Sequence, residues 1–287
     1  MEMSTSIELF RNIRNSNQYR TSIECIERCK KAGFRHLDFS FASSKKKGNE
    51  IFLENWEQTI NEVKEQTDKL GMIIDQTHAP FTIKEYDLTQ YKELMRRALI
   101  ASSLLGAKQM VIHADVYDKG ESDYNETDAL NAAYEFYAPY VELAKKHNIK
   151  LAVENLFEEK KDGKRSRFTS TVEEQLAVIQ KFDDPSVGAC WDSGHARVVY
   201  GDNIIEPLKK IGKYLIATHI HDNYAGMDLH VPVYFGFINW PDVMNCLNEI
   251  KYKGNFTYEY VYVVFPDELA DAYIKLFYDT GIKLIHS

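Results

Sequence analysis

No apolar run in the 287 residues approaches the about 18 that a membrane-spanning helix needs, and the mean hydropathy is −0.41. No membrane partner is expected. The opening Met1-Glu-Met-Ser-Thr-Ser6 lacks the basic and apolar regions of a secretory signal. Cysteine is scarce. Cys25, Cys29, Cys190 and Cys246 form no CxxC or zinc-ribbon spacing, and Cys25 and Cys29, one helical turn apart, read as small buried side chains. That usage fits a reducing cytoplasm, the localisation expected. Glycine- and proline-rich linkers are also missing, which leaves residues 1–287 as a single domain. No Gly-x-Gly-x-x-Gly follows the first strand and there is no P-loop, so a nucleotide-binding open sheet loses support. Nor is there a basic excess: 35 Lys and Arg face 43 Asp and Glu, for a net charge of −8. Binding to a phosphate backbone depends on a basic footprint that releases counterions, so no nucleic-acid partner is expected.

What the chain does have is alternation. Short β-rich runs at 6–10, 34–41, 72–78, 109–113, 149–154, 187–192, 214–219 and 256–261 are separated by helical periods. Helices are expected over 21–32, 50–70, 88–105, 128–147, 240–250 and 267–285, and another opens at a capping box, Ser170-Thr-Val-Glu173. Eight strands alternating with helices over this length define an α/β chain of the (β/α)8 TIM-barrel class.

The densest chemistry lies in Ala217-Thr-His-Ile-His-Asp-Asn-Tyr-Ala-Gly-Met-Asp-Leu-His230, directly after an apolar strand run. Three of the nine histidines (His219, His221 and His230) fall here, beside Asp222 and Asp228. On the strand assignment, His78, His113, Glu154, Asp192 and His219 close five successive strands, and Glu259 sits in the eighth. A barrel gathers the C-terminal ends of its strands on one face, so these six side chains would converge. Glu154, Asp192, His219 and Glu259 make a nitrogen-and-oxygen donor set without thiolate, suited to one divalent ion: Mn²⁺, Co²⁺ or Zn²⁺. Such an ion holds two adjacent substrate oxygens and stabilises an enediolate, while Glu154 and Glu259 move protons at carbon. His221 and Asp222 are expected behind His219, fixing its ring.

At these residues the chain resembles the xylose isomerase-like barrel superfamily of sugar-phosphate isomerases and epimerases, ketose 3-epimerases and endonuclease IV. The resemblance runs from about Phe34 to Tyr262. It is carried by Thr77-His-Ala-Pro-Phe81, Val111-Ile-His113, Leu151-Ala-Val-Glu-Asn155, Cys190-Trp-Asp-Ser-Gly-His-Ala196, His219-Ile-His-Asp-Asn223, Asp228-Leu-His230 and Tyr258-Glu259. It implies that Glu154, Asp192, His219 and Glu259 are the single-metal set of the epimerases, with Glu154 and Glu259 as their proton-transfer pair. It makes His195 a substrate-oxygen contact. It also matches His78, His113, His195, Asp228 and His230 to the further metal positions of the endonuclease, so more than one ion is compatible with the pattern.

Departures from the family pattern bear on the substrate. Ala225 stands where the epimerases carry a substrate-binding arginine, and Val231-Pro-Val-Tyr-Phe-Gly236 replaces a Pro-Gly-x-Gly segment. The endonuclease's glycine-rich segment reads Leu156-Phe-Glu-Glu-Lys-Lys161, and its His-Pro-Gly reads His113-Ala-Asp115. With the acidic charge, these favour a small sugar or sugar phosphate. The function expected is a divalent-metal-dependent isomerase or epimerase. A metal-dependent phosphoesterase and a keto-polyol dehydratase are the alternatives, and a homo-oligomer is compatible with each. The run Lys160, Lys161, Lys164, Arg165 and Arg167 lies on the loop after the fifth strand, where it meets solvent or a substrate anion.

Overall fold

The computed structural model describes residues 1–11, 19–42, 48–81, 87–116, 124–158, 165, 167–224, 226–259 and 266–286. Lys45–Lys47, Lys160, Lys161, Lys164 and Ala225 lie outside the described residues. The strands are β1 (Met3–Ser6), β2 (His36–Ser40), β3 (Ile73–His78), β4 (Gln109–Ile112), β5 (Lys150–Glu154), β6 (Val187–Asp192), β7 (Leu215–His219) and β8 (Phe256–Tyr258). They are parallel and hydrogen-bonded in the order β7-β6-β5-β4-β3-β2-β1-β8. The helices are α1 (Ser22–Ala32), α2 (Trp56–Lys69), α3 (Leu88–Leu105), α4 (Glu126–His147), α5 (Val172–Phe182), α6 (Ser193–Tyr200), α7 (Ile205–Ile211), α8 (Trp240–Glu249) and α9 (Asp267–Ile285). This is the (β/α)8 class expected from the sequence. No helix among the described residues is long and apolar enough to cross a membrane.

The chain forms two compact units: Met1–Met110 with His147–Ile149 and Asn255–Ser287, and Val111–Lys146 with Lys150–Gly254. In the first, β1 pairs with β2 and β8, placing Ser4 opposite both His36 and Thr257. The β2–β3 register sets Ser40 beside His78. Helix α1 begins at a Thr21/Glu24 capping box and stops at Gly33, whose φ of 112° no side-chain-bearing residue adopts without strain. Arg28 and Lys31 of α1 both pair with Asp271 of α9.

In the second unit, the register sets Glu154 beside Cys190 and Asp192 beside His219. Side chains alternate faces along a strand, so Glu154, Asp192 and His219 share a face with Ala152, Cys190 and Ala217, two residues earlier. Those three pack with Val111 as a fully buried cluster, one small apolar residue from each of four strands. The carboxylates and imidazole therefore stand directly on a buried apolar floor.

Several local expectations shift. The first strand is Met3–Ser6, not 6–10. The Ser6 side chain accepts from the Glu8 backbone and starts a 3-10 turn, Ile7–Phe10, that buries Ile7, Leu9 and Phe10. The helix expected from residue 50 is broken by a 3-10 turn at Glu50–Phe52 and an extended Leu53, and α2 begins only at Trp56. The box opening α5 is Thr171 with Glu174, one residue later than expected, since both pairs satisfy the same spacing. In α3, Leu88 is exposed at the start of the helix, while Tyr91, Met95, Ala98 and Leu105 are buried. Helices α6 and α7 were not anticipated. Gly194 in the first turn of α6 and Pro207 in α7 disguise their helical periods.

Candidate functional site

The second unit carries most of the expected site residues. Glu154 closes β5 almost completely buried. One carboxylate oxygen lies 3.1 Å from His219 Nδ1 and the other 3.1 Å from His113 Nε2. His113 follows β4, and its backbone carbonyl accepts from the Tyr137 hydroxyl at 2.7 Å. Ligand atoms of Glu154, Asp192 and His219 come within 4.8 Å of one another. Asp192 is fully buried at the end of β6 and caps α6, accepting from the His195 backbone N–H at 2.7 Å. The same cap turns His195 back over the strand ends, with Nδ1 3.5 Å from Glu154.

A second knot adjoins it. His195, His221, Asp228 and His230 also place ligand atoms within 4.8 Å of one another. Asp228 lies 3.1 Å from His230 Nε2 and 3.6 Å from His195 Nε2. The His221 and His230 rings stack with centroids 3.8 Å apart and 10° between planes. His221 Nε2 reaches Asp192 at 3.0 Å, which links the two groups, while its Nδ1 is buried with no hydrogen-bond partner.

The charges follow from this packing. Burial pushes the Glu154 carboxyl up, but His219 and His113 outweigh it and hold it well below the usual range. Burial likewise opposes ionisation of Asp192, and His195 and His221 overcome it. Asp228 is driven down by His195 and His230 against its own burial. For His195, burial disfavours the cation, yet Asp192, Asp228 and Glu154 push the pKa up to about 10. Two buried carboxylates and the half-buried Asp228 thus demand nearby positive charge, and the groups that hold them are imidazoles. A set of carboxylate and imidazole donors with an orphaned buried ring nitrogen fits a divalent cation.

The remaining expected residues fall as follows. In the first unit, His78 ends β3, buried, its Nδ1 2.7 Å from the Ala79 carbonyl and its ring edge-on to Phe81. Glu259 directly follows β8 and is half-buried. In the second, the hydrogen bonds of His221 and Asp222 go elsewhere than His219. His221 pairs with Asp192. Asp222 accepts from Trp240 Nε1 at 2.8 Å, Ile238 N at 3.1 Å and Asn223 N at 2.9 Å, fastening the loop after β7 to the start of α8.

Sequence reasoning assigned no role to Asn155. Its side-chain oxygen accepts from Asp192 N at 2.8 Å and its amide donates to Asp192 O at 2.9 Å, while its carbonyl lies 2.9 Å from His195 Nδ1. Three bonds from one residue fix two expected ligands. The signal was its place in the Glu-Asn pair, legible as a motif but mute about geometry.

Parallel strands ending in carboxylates and imidazoles define a (β/α)8 protein with a cluster of donor side chains at its strand ends. A family model described as xylose isomerase-like TIM barrel matches residues 26–279, and the chain belongs to that family. It is 28% identical over 189 residues to an uncharacterized protein of Methanocaldococcus jannaschii, covering 63% of this chain and 62% of that one. It is 24% identical over 168 residues to an uncharacterized protein of Sinorhizobium fredii, covering 58% of this chain and 51% of that one. The chain therefore spans about half to three-fifths of the curated relatives it matches. Among solved structures, a D-tagatose 3-epimerase-like protein superposes with a TM-score of 0.76 at 21% identity, covering 100% of this chain and 98% of that one. IOLI protein with a bound zinc atom gives 0.76 at 17%, over 99% and 98% of the chains. The probable 3-DHS dehydratase AsbF of Bacillus anthracis gives 0.72 at 14%, over 98% and 99%. At these identities the likeness establishes the fold.

Proposed function

We propose that the protein is a divalent-metal-dependent isomerase or epimerase of a small sugar or sugar-like polyol. The observation that carries this reading is the buried Glu154, held between His219 and His113 and next to Asp192 on an apolar floor. We add Glu259, because a barrel brings C-terminal strand ends to one face and Glu259 follows β8 as Glu154 closes β5. Glu154, Asp192, His219 and Glu259 would hold the ion. When bound, the ion supplies positive charge to two adjacent substrate oxygens as negative charge develops on them. Glu154, kept ionised by its imidazoles, takes a proton from substrate carbon, and Glu259 returns one from the opposite face. His195 hydrogen-bonds a substrate oxygen. The buried floor keeps water from the carbanionic centre.

The epimerase-like structural neighbour supports this class, and the zinc-bearing one supports a metal. A dehydratase neighbour fits the same first step with a different fate for the carbanion. A second reading, a phosphoesterase with additional ions, is favoured by the His195, His221, Asp228 and His230 group. Elemental analysis of the purified protein separates them. About one Mn, Co or Zn per chain agrees with the isomerase, and two or three agree with the phosphoesterase. On a ketose panel, Glu154→Gln is expected to lower kcat by at least about a hundredfold, the usual scale for a proton-transfer group. Full activity in that variant would overturn the proposal.

A further inference from the structure

The loop between β5 and α5 carries a cation that the site just described does not use. Residues 158–167 hold five basic and three acidic side chains in a chain whose net charge is −8. Two arginines of this loop are described, and they differ in how firmly their side chains are held. Arg165 is held by short bonds: its Nη2 bonds Glu174 Oε1 and Oε2 and Ser170 Oγ, each at 2.7 Å, and its Nε lies 3.3 Å from Glu158.

Arg167 is held loosely. Its Nε is 3.4 Å from Asp115 Oδ2, its Nη1 is 3.5 Å from the Phe157 carbonyl, and its side chain is one-third exposed. The guanidinium lies over the Phe157 ring at 5.2 Å, and that ring packs against His195 with centroids 4.9 Å apart. One aromatic ring thus separates a one-third-exposed guanidinium from an imidazole of the candidate centre. The loop is closed behind it, with Leu156 N donating to Thr169 O at 2.8 Å and Phe168 N donating to Asp115 Oδ1 at 3.1 Å. Asp115 therefore grips both the backbone and the arginine, orienting a planar fork that is partly exposed to solvent. Such a fork suits a planar or tetrahedral oxyanion.

We propose that Arg167 recognises an anionic group on the substrate, a phosphate monoester or a carboxylate, at the end remote from the reacting carbons. This rests on the sugar isomerase reading and names its substrate class: an acidic sugar rather than a neutral one. Asp115 and Phe157 act as positioning residues for the fork.

The test begins with binding. Inorganic phosphate and acetate are titrated calorimetrically into the metal-loaded enzyme, Arg167→Gln and Arg167→Lys, with melting midpoint and metal content measured on each. At least one anion is expected to bind tenfold or more weakly to Arg167→Gln, with Arg167→Lys in between; preference for phosphate assigns the monoester and preference for acetate the carboxylate. Anions that meet only the metal ion would bind all three proteins alike, and that result overturns the proposal. Should Arg167→Gln fail to fold, Arg167→Lys carries the comparison. With a ketose phosphate and the neutral ketose, or a keto sugar acid in place of the phosphate, Arg167→Gln is expected to raise KM tenfold for the acidic sugar alone, with kcat retained. If Arg167-dependent anion binding holds while no sugar is turned over, the isomerase reading fails and the assignment of Arg167 stands.

Discussion

The His221 imidazole lies so close to the α-carbon of Gly194 that a Cβ built there would come within 1.9 Å of Cε1. Gly194 is in the first turn of α6, where alanine by itself would favour the helix. The ring has no room to retreat, because His230 stacks on it at 3.8 Å. Gly194→Ala is therefore expected to pull His221 from Asp192 and to destabilise the fold by about 1–3 kcal/mol through overpacking. Urea unfolding measures the loss. An unchanged or raised midpoint would show that the ring moves freely.

Asp222 presents a second stability test. It is fully buried and uses both carboxylate oxygens, one for Trp240 Nε1 and the other for two backbone N–H groups. Asparagine keeps one acceptor and turns an amide donor toward a donor. Asp222→Asn is expected to cost about 1–3 kcal/mol, the scale of a buried group left unpaired. Urea denaturation followed by circular dichroism measures it, and Trp240→Phe in the same background should recover part of the loss.

Acid stability should depend on Asp75. Burial pushes its carboxyl up, but His36 and Lys108 outweigh this and hold it below the ordinary value. A folded-state value below the unfolded one stabilises the protein above the unfolded value of about 4. That contribution is lost as pH falls through the folded value. Asp75→Asn is expected to lower the urea midpoint at pH 7 and to flatten its decline between about pH 4 and pH 2. Parallel pH curves for the two proteins would contradict the assignment.

Metal removal should be felt by the whole fold. If the buried carboxylates hold an ion, adding it back at a hundred times its Kd contributes about 2.7 kcal/mol of stability. Chelator treatment is then expected to lower the melting midpoint by several degrees, and one of Mn²⁺, Co²⁺ or Zn²⁺ should restore it. Asp192→Asn should abolish the restoration.

Much of the architecture was legible in the sequence because periodicity is local. Seven of the eight strands, Glu154 at the end of β5 and Asp192 at the end of β6 can be read from alternating apolar runs and their stops. The first strand could not, because Ser6 as a cap and Ser6 as a strand residue present the same letters until its partner N–H is known. The partners of His221 and Asp222 were misplaced for a related reason. Adjacency to His219 in sequence does not fix a side chain's partner, and the partners of His221 and Asp222, Asp192 and Trp240, are 29 and 18 residues away.

The sequence by itself determined the class of fold, the family and the list of imidazoles and carboxylates, since these depend on residue type and spacing. Tertiary structure decided which of them touch. It bound Asn155 to Asp192, turned His195 back over Glu154 through a helix cap, and used Asp222 to fasten a loop. It also tied Arg165 to Glu174 by short bonds and left Arg167 held by longer ones. Those outcomes depend on distances between distant segments, which are set when the chain packs and its buried polar groups find partners.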